Sequence, residues 1–119
     1  MYSAQVLDHF QNPRNAGEIP DTTAAAEVEN PACGDILRLT LKIDSDKIVE
    51  ARFKAKGCVA AIACGSALTE LTIGKTLNEA RSLGREQIDS ALGGLPQGST
   101  HAAQLALDTL SAALNNFPG

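Results

Sequence analysis

Tryptophan is absent from the 119 residues, tyrosine occurs once and phenylalanine three times, so the chain has no platform of aromatic rings on which unpaired bases could stack. It also lacks excess positive charge: ten Lys and Arg stand against fourteen Asp and Glu, a net charge of −4. Phosphate backbones are held by clustered cations, which excludes nucleic acid as the main partner. No apolar run approaches the roughly 20 residues of a bilayer-spanning helix. The opening MYSAQVLDHF has neither the basic flank and apolar block of a secretory leader nor the arginine bias of a transit peptide. A cytoplasmic location, away from membranes, is the expectation. Cysteine is sparse too, and its count of three is odd. In a reducing compartment that points to free thiols or metal ligation rather than a disulfide framework. Only two histidines, His9 and His101, are available to join them.

What is present is an ordinary apolar fraction of 44% with 20% charged residues, enough for one domain over 1–119 with its own core. Residues 3–11 predict a short amphipathic helix with Val6, Leu7 and Phe10 on one side, ended by Asn12-Pro13. After a Pro- and Gly-containing loop, Ala24–Asn30 is read as a first strand. Asp35–Asp44 alternates Leu37, Leu39, Leu41 and Ile43 with Arg38, Thr40 and Lys42, which is a strand with one buried face. Lys47–Lys56 alternates Val49, Ala51, Phe53 and Ala55 with charged residues, and Asp44-Ser45-Asp46 between them predicts a β-hairpin.

From Cys58 the spacing turns helical, with Val59, Ile62, Ala63, Ala67 and Leu71 on one stripe until Gly74. Thr76 and Glu79 form a capping-box pattern for a short helix, Arg85–Leu92 is another, and Ser99 or Thr100 caps a last long helix. Its apolar stripe runs through Ala103, Ala106/Leu107, Leu110, Ala113/Leu114 and Phe117. The fold class expected is α+β: a small three-stranded antiparallel sheet packed by helices on one face, with a long C-terminal helix.

Three junctions between these elements carry the chemistry. Cys33 and Asp35 sit in NPACGD just before the long strand, Cys58 where the hairpin gives way to a helix, and His101 in the first turn of the last helix. In an antiparallel sheet the start of the second strand and the end of the third share an edge, which brings Cys33, Asp35 and Cys58 together. Gly34 and Gly57 beside them permit close backbone approach. At the first turn of a helix Cys58 is expected to ionise readily, and a readily ionised thiol serves as nucleophile, sulfur carrier or metal ligand. Two thiolates, an imidazole and a carboxylate suit Zn²⁺ or iron with sulfide. Each residue also has a plainer role: Asp as a turn cap, His101 as a surface residue, Cys33 and Cys58 as small buried hydrophobes. Cys64 lies mid-helix, rotated roughly 120° from Cys58, and reads as core packing, and His9 as a packing or capping residue.

With those motifs in view the chain resembles the iron–sulfur cluster assembly scaffolds of the IscU type, the family that also forms the N-terminal domain of NifU. The resemblance covers nearly the whole length: YSAQVLDHFQNPRNAGEI, NPACGD, ARFKAKGCVAAIACGSALTELTIGKTL and LPQGSTHAAQLALDTLSAAL follow in the family's order. It implies Cys33, Asp35, Cys58 and His101 as ligands of iron or of an Fe–S cluster of the 2Fe–2S type, with Asp35 a ligand or a promoter of cluster release. The implied partners are a cysteine desulfurase and apo acceptor proteins, possible homodimerisation included, and no enzymatic activity of its own is implied. Two departures stand out. Where the family carries His-Cys this chain has His101-Ala102, removing one thiol that the family uses as ligand and sulfur acceptor. Where the family has the chaperone-docking LPPVK, this chain has Leu95-Pro96-Gln97-Gly98-Ser99. The alternatives are a zinc-holding module of the same fold that builds no clusters, and a thiol enzyme using Cys58 with His101 as base, for which no oxyanion hole or orienting third residue is visible.

Overall fold

The structure, a computed structural model, describes residues 1–31 and 33–118; Ala32 of the NPACGD turn and the last residue, Gly119, lie outside them. In chain order the elements are α1 (Ala4–Gln11), β1 (Ala24–Glu29), β2 (Ile36–Asp44), β3 (Lys47–Lys56), α2 (Val59–Thr72), α3 (Leu77–Arg81), α4 (Arg85–Ala91), one 3-10 turn (Gln97–Ser99) and α5 (Thr100–Asn115). The three strands form one antiparallel sheet in the order β1-β2-β3, and the fold is α+β.

Alternation decides what the sheet buries. Leu37, Leu39 and Leu41 of β2 and Ala51 and Phe53 of β3 point into the core, against α2 and α5. The β2–β3 turn has Ser45 and Asp46 both at positive φ, 53° and 61°, the geometry of a two-residue hairpin whose twist suits the strands. That turn fixes Ile43 opposite Ile48, whereas the rest of the pair matches Lys42 with Glu50, so Val49 is an extra residue in β3. The bulge corrects the expected phase: Ile48 is inside at 0% exposure and Val49 is outside at 47%.

The sheet's other face is crossed by residues 16–21. Gly17 donates to the Phe53 carbonyl at 2.8 Å and Ile19 to the Thr40 hydroxyl at 3.2 Å, while Glu18 pairs with Arg38 and Asp21 with Lys42. Thr40, on the polar side of the strand pattern, is therefore only 1% exposed. The free edge of β3 is covered at its other end by the turn after α2, where Gly74 donates to the Ile48 carbonyl at 2.7 Å and Ile48 to the Lys75 carbonyl at 2.9 Å.

α2 is the central helix and is buried on nearly every side, not along the single stripe expected. Val59, Ile62 and Leu71 are only partly covered, while Ala60, Ala61, Cys64, Gly65, Ser66 and Leu68 are fully packed. Small residues allow this. A methyl group at Gly65 would lie 2.6 Å from the Phe53 ring, so the helix rests directly on the sheet. Its buried hydroxyls are satisfied: Thr69 donates to the Ser66 carbonyl at 2.7 Å and Thr72 to the Leu68 carbonyl at 2.9 Å. The Thr76–Glu79 capping box of α3 forms as its pattern predicts. α5 buries Ala102, Ala103, Leu105, Ala106, Leu110, Ala113 and Leu114, the expected stripe widened by one row. Among the described residues no helix is long and apolar enough to cross a membrane.

Candidate metal centre

The antiparallel pairing sets Ile36 opposite Lys56, so the residues just before β2 and just after β3 meet at one end of the sheet. Asp35 is the hub of that meeting. It is 5% exposed, and its two carboxylate oxygens divide their work. Oδ1 accepts the Cys58 backbone N–H at 3.3 Å, and Oδ2 accepts the Cys58 thiol at 3.3 Å. His101 Nε2 approaches the same Oδ2 to 3.7 Å, within ion-pair range but beyond hydrogen-bond length. Donor atoms of Cys33, Asp35 and His101 all lie within 4.8 Å of one another. The loop is closed by main-chain bonds from Asn30 N–H to the Asp35 carbonyl and from Gly34 N–H to the Asn30 carbonyl, both 2.7 Å.

Exposure grades across the group. Asp35 lies at the floor, Cys58 and His101 are half-buried, and Cys33 is exposed at the rim. Cys58 caps α2 without using its own side chain, and the expectation of a readily ionised thiol there is corrected. Burial pushes the Cys58 thiol up first, and the Asp35 carboxylate that accepts its proton pushes the same way; the Ala61 and Ala60 amides of the helix start pull down without prevailing. A cation replacing the proton removes that conflict, because metal binding requires the thiolate.

The two remaining candidates stand apart from the site. Cys64 is fully buried, its thiol pushed up to about 12 by burial, and belongs to the core. His9 is buried between α1 and α2, its Nδ1 2.7 Å from the Ser66 hydroxyl and its Nε2 3.6 Å from Glu70. One feature escaped the sequence reading: a cleft of about 330 Å³ beside His101, bounded by Glu29 and Asn30 at the end of β1 and by Gln104, Leu105 and Asp108. Its signal was there, since residues 101, 104, 105 and 108 share one helical face. A larger cavity of about 650 Å³ lies along α4, near Arg85, Asp89 and Leu95, and brings no thiol or imidazole. Donor chemistry, not cavity size, singles out the Asp35 end.

The model of the NifU-like N terminal domain matches residues 1–119. The chain belongs to this family. Among relatives of this NifU-like domain, it is 44% identical to "Iron-sulfur cluster assembly scaffold protein IscU 1" of Archaeoglobus fulgidus, over 98% of this chain and 76% of the relative. It is 40% identical to "Iron-sulfur cluster assembly scaffold protein IscU" of Haemophilus influenzae, over 98% and 94% of the two chains. A solved structure from Fervidobacterium islandicum, provisionally described as an iron–sulfur cluster assembly scaffold for the SUF system, superimposes with a TM-score of 0.81 at 25% identity, covering 95% and 96% of the two chains.

Proposed function

We propose that this NifU-like domain is a scaffold on which an iron–sulfur cluster is assembled and from which it is handed on, with Cys33, Asp35, Cys58 and His101 as the ligand set. One observation carries the reading: a carboxylate at the floor of the site reaches a thiol and an imidazole from two other elements, with a second thiol at the rim. Family membership and the scaffold relatives support it. Four donors meet the need of a 2Fe–2S cluster for four protein ligands. Fe²⁺ and sulfide are the substrates, and the cluster is cargo. Two of the four ligands are not thiolates, which weakens the hold on iron relative to four cysteines and favours release. Ala102, at 1% exposure, contributes no donor.

We assign the sulfur source to a cysteine desulfurase and the product to apo acceptor proteins; a second copy of the chain would add thiolates at the rim. Ligands that must stay reduced suit the cytoplasm. The role is that of a scaffold, and no residue is assigned to catalysis. The test is anaerobic reconstitution with Fe²⁺, cysteine and a desulfurase, read by visible absorption and by iron, sulfide and zinc counts on wild type and Cys58→Ser. Sulfide-to-iron charge-transfer bands present in wild type and lost in Cys58→Ser are expected. Colourless wild-type protein holding one tight Zn²⁺ would replace cluster assembly with zinc binding.

A further inference from the structure

The division of labour between the two Asp35 oxygens depends on what is missing next to it. Gly57, the residue between β3 and Cys58, has φ +153°, and an added Cβ would lie 2.6 Å from Asp35 Cγ, 3.0 Å from Asp35 Cβ and closer still to Oδ1. Real Cβ atoms do not come so close, so the carboxylate lies flat against the Gly57 backbone in space that any side chain would fill. By contrast a Cβ on Gly34, the other glycine of the site, would meet nothing within 4 Å. Gly34 serves the turn through its positive φ of 76°. Gly57, itself at a φ that side chains rarely adopt, serves its own backbone and the carboxylate together.

We infer that Gly57 is a positioning residue for Asp35. Its bare Cα seats Oδ1 on the Cys58 amide at the start of α2 and leaves Oδ2 alone to face the Cys58 thiol and His101. The inference rests on the proposed ligand role of Asp35 and deepens it: Asp35 offers the cargo iron one oxygen, because the other is committed to the helix. A one-oxygen carboxylate holds a cation more loosely than a chelating one, which suits a site that must give its cargo up. With a methyl group at 57 the carboxylate has to swing away, and both the helix cap and the alignment on Cys58 and His101 go with it.

The experiment is a double-mutant cycle on the whole chain with Co²⁺ as probe, under anaerobic conditions and at one pH. It compares wild type, Gly57→Ala, Asp35→Ala and the double variant. Asp35→Ala removes the contacts to Oδ1 and Cγ and leaves only the 3.0 Å approach to Cβ, which a small shift relieves. Gly57→Ala is expected to weaken Co²⁺ binding about 10-fold or more, the usual scale for a residue that orients a ligand. In the Asp35→Ala background the same change should cost markedly less, because the clash with the carboxylate is gone and only the strain of an alanine at φ +153° remains. Independent losses that multiply, or a Gly57→Ala protein that binds like wild type, would overturn the inference. Should Gly57→Ala fail to fold, folding of the double variant supports the inference and failure of both overturns it. Solvent exchange of the Cys58 amide gives a reading without metal: loss of its Oδ1 acceptor should speed exchange alike in Gly57→Ala and Asp35→Ala, and no further in the double variant. A wild type that binds no Co²⁺ would count against the ligand reading, and the amide would still decide the role of Gly57.

Discussion

Three cysteines on one short chain have three different chemistries because they sit at three depths. Cys33 is exposed, Cys58 is half-buried with its proton shared toward Asp35, and Cys64 is enclosed by the core with its thiol pushed up to about 12. A thiolate is the species that reacts, and the helix start that would favour one at Cys58 is outweighed by burial and by the neighbouring carboxylate. Iodoacetamide at mildly alkaline pH should therefore label Cys33 first, Cys58 more slowly and Cys64 only after unfolding, as followed by peptide mass spectrometry. Fastest labelling at Cys58 would restore the low-pKa reading and contradict the packing around it. The sequence placed Cys33, Asp35 and Cys58 at one end of the sheet because they flank strands whose pairing any antiparallel hairpin implies. It could not carry the ionisation of Cys58, which depends on what packs over the helix start and not on the helix itself.

At the scale of elements, period and turn chemistry located the α-helices and strands of the described residues to within about two residues, whereas the 3-10 turn at Gln97–Ser99 was not foreseen and α5 starts without the side-chain cap expected from Ser99 or Thr100. Errors arose where two local signals compete. The hairpin turn and the strand face demand registers that differ by one, and Val49 absorbs the difference as a bulge. A simple alternation from Val49 through Ala55 hides it, because Val49 and Ile48 are equally apolar. Truncation separates them. Ile48→Ala should cost about 2–5 kcal/mol by urea unfolding, and Val49→Ala within about 0.5 kcal/mol as an exposed substitution. Equal costs would mean that the strand pairs without the bulge. Thr40 teaches the same lesson on the opposite face: its alternation was legible, but residues 16–21, which cover it, have no periodicity to announce where they lie. α2 likewise shows little contrast between its faces, so its depth in the core comes from small residues packed on every side and not from a stripe.

For the molecule as a whole, the first helix is locked to the central one through a titratable group. His9 is buried against α2, its Nδ1 on the Ser66 hydroxyl and its Nε2 near Glu70, and Arg14 N–H donates to the same Ser66 hydroxyl at 2.9 Å. Around His9 stand Glu70, Asp8 and Arg14. Burial lowers the His9 pKa below its ordinary 6.5 and Arg14 adds to the lowering, against the opposing pull of Glu70 and Asp8. Just below pH 6.5 the unfolded chain therefore carries a proton on His9 that the folded chain refuses. Stability contributed by the neutral ring is present above that pH and is lost as the pH falls through the lower folded value. Asp8, Asp21 and Glu79 all have pKa values lowered from ordinary values of 3.8, 3.8 and 4.5, so their contribution fades only in more acid solution. The His9 window opens first, near pH 6.5, which makes His9 testable. Melting temperature should fall between pH 7 and pH 5 in wild type, and the fall should be smaller in His9→Gln, whose amide packs without titrating. An undiminished slope in that variant would move the acid sensitivity to another group and leave the docking of α1 indifferent to pH.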